Sequence, residues 1–168
     1  YALYCRGNME RLASRWHSAA KYFEEALKLD PRSVLTRQRL IECYLRMGNK
    51  YRQKIFEQVK ALVELEPDNF NYNYLLARFY DEQNEVEKAI EAYKKCIGSL
   101  AKDPVRLLEA KFDLAKLYCR NDRVKEAIPV LEDVVRMNPP SEVAYTAFYL
   151  LGGSYYIDGQ YKKSILCY

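Results

Sequence analysis

Acid–base, nucleophilic or metal-binding chemistry would have to come from very few residues in this chain. His17 is the single histidine, and no cysteine stands at metal-finger spacing from it. As a general base it would need a nucleophile and an orienting carboxylate, and no such pattern accompanies it. The five cysteines, Cys5, Cys43, Cys96, Cys119 and Cys167, form no C-x-x-C pair. Each falls in an apolar helical pattern, which reads as small core residues, unpaired, in a reducing compartment. No G-x-G-x-x-G, P-loop, H-E-x-x-H or G-x-S-x-G is present, and Gly152-Gly153-Ser154 lies inside a helical pattern. Carboxylate runs such as Glu24-Glu25 and Glu85 with Glu87 read as solvated faces pairing with lysines one turn on. The expectation is a chain with no catalytic residue, no cofactor and no metal.

Composition narrows the class. The 168 residues are 49% apolar and 30% charged, enough to bury a core. Six glycines and six prolines are too few for the turns of a β-sandwich or barrel. A net charge of +4 is a mild excess, well short of a nucleic-acid binder. No apolar run reaches the length of a membrane-spanning helix, and Arg6, Arg11 and Arg15 interrupt any signal-peptide core at the start. A cytoplasmic protein without membrane insertion is expected. Tyr1 is not a natural start, so a fragment of a longer protein is expected too.

The elements that organise these residues repeat. Four stretches align: Trp16 to Pro31, Val86 to Cys96, Val124 to Pro139 and Tyr161 to Tyr168. Each reads aromatic or Val, two polar residues, a small residue, then apolar residues at helical spacing. The small position recurs at Ala19, Ile55, Ala89, Ala127 and Ser164, in steps of 34 to 38 residues, with Ile55 breaking the rule. A second amphipathic helix precedes each stretch and carries Tyr44, Tyr80, Tyr118 or Tyr155. Turns are expected at Gly48-Asn49, Gln83-Asn84, Asn121-Asp122 and Asp158-Gly159. Helix ends are expected at Asp30-Pro31, Glu66-Pro67, Asp103-Pro104 and Asn138-Pro139. Insertions fall near Asn49–Tyr51, Ser99–Pro104 and Pro140–Ala144, and Pro129 is expected to kink its helix.

This pattern resembles the tetratricopeptide repeat (TPR) family, over nearly the whole chain. The resemblance implies an all-α fold, an α-solenoid of stacked antiparallel helical hairpins wound as a right-handed superhelix. Repeats are expected at about 1–33, 34–69, 70–107, 108–144 and 145–168, the last incomplete. Such a repeat buries its apolar stripe by stacking on its neighbours. Leu151, Tyr155 and Ile165 are therefore expected to form an exposed apolar face, open to a partner or to self-association.

In the family the first helix of each repeat lines a concave groove. Carried over residue by residue, one column reads Tyr4, Gln38, Tyr74, Phe112 and Tyr149. A second reads Asn8, Glu42, Arg78, Lys116 and Gly153, and a third, near the helix ends, Arg11, Arg46, Asp81, Arg120 and Tyr156. Arg39 lies between them. The expected peptide-binding groove is thus Tyr4, Asn8, Arg11, Arg39, Arg46, Tyr74, Arg78, Phe112, Lys116, Arg120 and Tyr149. It is aromatic and basic, suited to an acidic extended segment or helix of a protein partner. The family's clamp for chaperone C-termini is matched at Asn8 and Arg78 alone, so that partner is not expected. The function implied is a protein–protein interaction scaffold or adaptor in a larger assembly. Two alternatives stay open: a periplasmic or membrane-associated bacterial array in envelope or motor assembly, and the non-catalytic arm of an enzyme.

Overall fold

The structure, a computed structural model, describes residues 1–99 and 103–168; the expected insertion at Ser99–Pro104 falls largely outside the described residues. Ten α-helices follow one another: α1 (Ala2–Leu12), α2 (Trp16–Leu29), α3 (Val34–Met47), α4 (Arg52–Leu65), α5 (Phe70–Glu82), α6 (Val86–Gly98), α7 (Pro104–Arg120), α8 (Val124–Arg136), α9 (Ser141–Ile157) and α10 (Tyr161–Ile165). Among the described residues there is no strand, and a 3₁₀ turn at Asn49–Tyr51 occupies one expected insertion. The fold is all-α, built of helical hairpins: α1 packs on α2, α3 on α4, α5 on α6, α7 on α8 and α9 on α10. Two compact units result, unit 1 at Tyr1–Pro67 and unit 2 at Asp68–Tyr168.

Each hairpin closes through one residue of positive φ. Ser14, Gly48, Asn84, Asp122 and Gly159 take positive φ, one between the first and second helix of each hairpin. Residues such as Gly, Asn and Asp tolerate this left-handed backbone because they suffer least from, or compensate, the Cβ clash. In four of the turns the next backbone N–H donates five residues back: Arg15 to Glu10, Glu85 to Tyr80, Arg123 to Tyr118 and Gln160 to Tyr155, at 2.8 to 3.0 Å. First helices α3, α5 and α7 start instead on side-chain caps, Ser33, Asn69 and Asp103, each accepting from a backbone N–H in the first turn. Helix α8 runs through Pro129, which stands in its interior and faces solvent.

Packing follows the small-residue pattern. Ala19, Ile55, Ala89, Ala127 and Ser164 are all buried. A second spacing, 16 residues on from a glycine of the first helix, sets a small residue against a larger one. Gly7 lies so close to Phe23 that a Cβ on it would stand 2.7 Å from the ring, and Gly152 meets Tyr168 at 2.8 Å in the same way. Helix α9 departs from one expectation. Leu151 and Tyr155 are buried, not exposed, because they sit on the side of α9 that joins the core of unit 2. The Tyr155 hydroxyl donates to Glu132 on α8. Ile165 is exposed, at 74%. The uncovered apolar residues of α9 are instead Tyr145, Phe148, Tyr149, Tyr156 and Ile157.

Candidate protein-binding surface

Unit 1 brings its candidate residues onto α1 and α3 around a carboxylate. Arg11 donates from Nη1 to Glu42 Oε1 at 3.0 Å and from Nε to Asn8 Oδ1 at 3.3 Å. Arg39 donates to the other oxygen of Glu42 at 3.2 Å. Hydrogen bonds with Tyr4 and with Glu42 raise the Arg39 pKa and hold it charged. Tyr4 also packs on the Phe23 ring, centroids 5.8 Å apart, and the Arg46 guanidinium lies over Trp16 at 5.8 Å. Glu42 thus carries two arginines, and four of the five expected residues of this unit join through direct bonds.

Unit 2 places Tyr74 and Arg78 on α5, Phe112, Lys116 and Arg120 on α7, and Tyr149 on α9. Tyr74 donates its hydroxyl to Asp113 Oδ2 at 2.8 Å, while Lys116 Nζ holds Asp113 Oδ1 at 2.7 Å. Burial, then this bond to Asp113, pushes the Tyr74 hydroxyl far above its ordinary pKa. Arg120 forks onto both oxygens of Asp81 at 2.8 Å each. Lys116 also covers the Phe112 ring at 4.7 Å, and Arg78 stands over Tyr74 at 6.0 Å. Asp81, Asp113, Lys116 and Arg120, with Cys119 from α7 and Thr146 and Leu150 from α9, line a cleft of about 450 Å³. Tyr149 stands apart from those lining residues, exposed and edge-on to Tyr168 at 6.2 Å.

The carboxylates change the character of this surface. Within each unit the bases expected to line a groove are ion-paired: Glu42 holds Arg11 and Arg39 in unit 1, and Asp81 and Asp113 hold Arg120 and Lys116 in unit 2. Glu42 and Asp81 stand in the sequence columns, and Asp81 with Arg120 occupies equal places in successive hairpins, a legible sign of pairing. Asp113 lies outside the columns, and its lysine three residues on was its one signal. The chemical candidates are elsewhere. His17 is exposed and edge-on to Tyr51. The five thiols are free. Burial pushes Cys43 up to about 11 and Cys96 up to about 12, away from nucleophilic thiolates. Among the described residues no three His, Cys, Asp or Glu side chains gather as a metal site.

Models of the tetratricopeptide repeat match residues 1–33, 70–99 and 112–168, well over half of the chain. The chain belongs to the tetratricopeptide repeat family. Superkiller protein 3 of Schizosaccharomyces pombe (strain 972 / ATCC 24843) is 27% identical over 134 residues, 78% of this TPR chain. The match spans about a tenth of that protein, 10% of its length. The fold is also that of MamA, at 21% identity and a TM-score of 0.72 over 96% of this chain and 89% of MamA. It is likewise that of YrrB, described as a TPR protein with an unusual peptide-binding site. There the identity is 15% and the TM-score 0.73, over 98% of this chain and 80% of YrrB. Its repeats make this TPR chain a protein–protein interaction scaffold. Among its described residues no helix is long and apolar enough to cross a membrane.

Proposed function

We propose that unit 2 binds an acidic, extended segment or helix of a partner protein along the first helices α5, α7 and α9. The observation that carries this is the cleft to which these three helices all contribute side chains. A row of helices offers side chains at successive steps, which suits a chain more than a compact small molecule. Two acids and two bases balance in the cleft, and the positive excess that suits a carboxylate-bearing partner comes from Arg78 on α5, outside its lining. Arg78, exposed and stacked on Tyr74, adds a third base to the two paired with Asp81 and Asp113. The Arg120 side chain is 61% exposed within its pair, and such pairs contribute about 0–1 kcal/mol, so a partner carboxylate can exchange into them. In unit 1 Arg39, paired with Glu42, and Arg46, over Trp16, offer the same chemistry.

Fluorescence anisotropy against a panel of extended peptides tests this reading. Peptides with spaced Asp or Glu should bind, their Asn and Gln counterparts weakly, and added salt should weaken the acidic set. A desolvated charge-assisted bond contributes about 1.5–3 kcal/mol, so Arg78→Ala should weaken binding about tenfold or more. Equal binding of acidic and neutral peptides would remove the electrostatic part of the proposal.

A further inference from the structure

Helices α2, α3 and α4 of unit 1 line a separate, open cavity of about 280 Å³. On α3 it is lined by Arg37, Leu40 and Tyr44. Arg39, Glu42 and Arg46 each stand two residues further on, about 200° around the helix, so the two sets face opposite ways. Leu27 of α2 joins Leu40 as an apolar wall, and Lys28 of α2 and Lys54 of α4 bring further charge.

Among the described residues Arg37 has no carboxylate partner. Its Nη1 donates to Gln58 Oε1 and its Nη2 to the carbonyl of Pro31, both at 2.6 Å and both neutral acceptors. Its Nε is shielded from solvent and meets no acceptor. Half-buried cations are ordinarily held by a carboxylate, because desolvating a charge without compensation is costly. The nearby Glu24 is already engaged: its Oε1 takes the Tyr44 hydroxyl and, at 3.0 Å, Lys54 Nζ. Lys28 lines the same cavity, exposed, with no ion pair among the described residues. Lys28, Arg37 and Lys54 against Glu24 and Glu57 leave one positive charge in excess.

We propose that this cavity binds a carboxylate borne on a small apolar group, with the carboxylate on Arg37 and Lys28 and the apolar part against Leu27 and Leu40. One negative charge balances the excess, whereas a doubly charged phosphate would overshoot it. With Nε shielded, the carboxylate meets the second hydrogens of Arg37 Nη1 and Nη2, which the bonds to Gln58 and Pro31 leave unused. The volume lies at the small end of ligand pockets, which limits the occupant to about one residue in size. The C-terminal residue of a partner chain and a free short acid share this chemistry.

The test titrates the whole chain with N-acetyl-leucine and with N-acetyl-leucinamide, followed by amide NMR shifts. The acid should move resonances of α2, α3 and α4 at concentrations on the order of millimolar, and the amide should not. Arg37→Gln should weaken the acid about tenfold or more, and Lys28→Gln, at an exposed position that spares the fold, severalfold. The tripeptide Ala-Ala-Leu separates the sources. Tighter binding than acetyl-leucine assigns the carboxylate to a chain end, and equal or weaker binding assigns it to a free acid. Equal responses to acid and amide, no response to the acid, or an unchanged affinity in Lys28→Gln would overturn the proposal. Charge reversal at Arg78 and Lys116 in unit 2 should leave these titrations unchanged, so the two sites stand or fall separately.

Discussion

Gly7 and Gly152 occupy matching places, yet their replacement by alanine should act with opposite sign. A methyl on Gly7 would press on Phe23, whose ring is fully buried and has nowhere to retreat. Overpacking of that kind costs about 1–3 kcal/mol, more than the 0.5–1 kcal/mol or so that alanine gains over glycine in a helix. At Gly152 the obstacles are the Tyr168 ring, 75% exposed and free to swing away, and the Cys167 Cβ at 3.1 Å, which the last turn of the chain can relieve by a small shift. Gly7→Ala should therefore lower the urea midpoint, while Gly152→Ala should leave it unchanged or raise it. A destabilised Gly152→Ala would show that Tyr168 or the Cys167 backbone is fixed in place. Glu24 adds a pH dependence. Burial alone would raise its pKa, but hydrogen bonds from Tyr44 and Lys54 outweigh that and lower it. A lowered folded pKa makes the stabilisation complete above the unfolded value of about 4.3 and lost as pH falls through the folded pKa. Unfolding melts from neutral pH to about pH 3 should show this loss, and Tyr44→Phe should shrink it.

Among the elements, α8 carries the clearest local conflict. Pro129 lies inside it and faces solvent, so it removes a helical hydrogen bond without burying apolar surface in return. Pro129→Ala should raise stability by about 1–3 kcal/mol, the helix gain being partly offset by a freer unfolded chain. Thermal melts would show it, and a lower midpoint would mean that the proline ring packs usefully. The turns make the opposite case. Asn84 holds φ at 58°, so Asn84→Val should cost about 1–2 kcal/mol, and Asn84→Gly little.

The elements were readable for reasons these turns show. Each joins a small residue tolerant of left-handed backbone to an apolar period of 3.6, and both are written locally in the sequence. Gly48, Asn84, Asp122 and Gly159 stand out as turns in the sequence itself. Helix α9 could not be placed as well. Its aromatic and aliphatic residues run all round, so periodicity gave no way to tell which side of Leu151 and Tyr155 faces the core. The binding surface was legible by position and not by charge. Tyr74 meets Asp113, and Arg120 meets Asp81, across 39 residues each, and bonds over that separation depend on how hairpins stack. Arg37 was not legible at all, because its neutral partners, Gln58 and the Pro31 carbonyl, carry no pattern in the sequence.

For the whole molecule, the proposed binding rests on what the first helices of unit 2 hold. The central claim is that an acidic protein segment lies on unit 2, read by Arg78 and Lys116. The most direct measurement is a charge swap: affinity of an acidic peptide for the native chain and for Arg78→Glu with Lys116→Glu, then the same with lysines replacing the peptide's acids. The account predicts near-abolished binding of the acidic peptide by the double variant, recovery with the basic peptide, and unchanged helical circular dichroism. Normal binding of the acidic peptide by the folded double variant would contradict it and move the site away from α5 and α7.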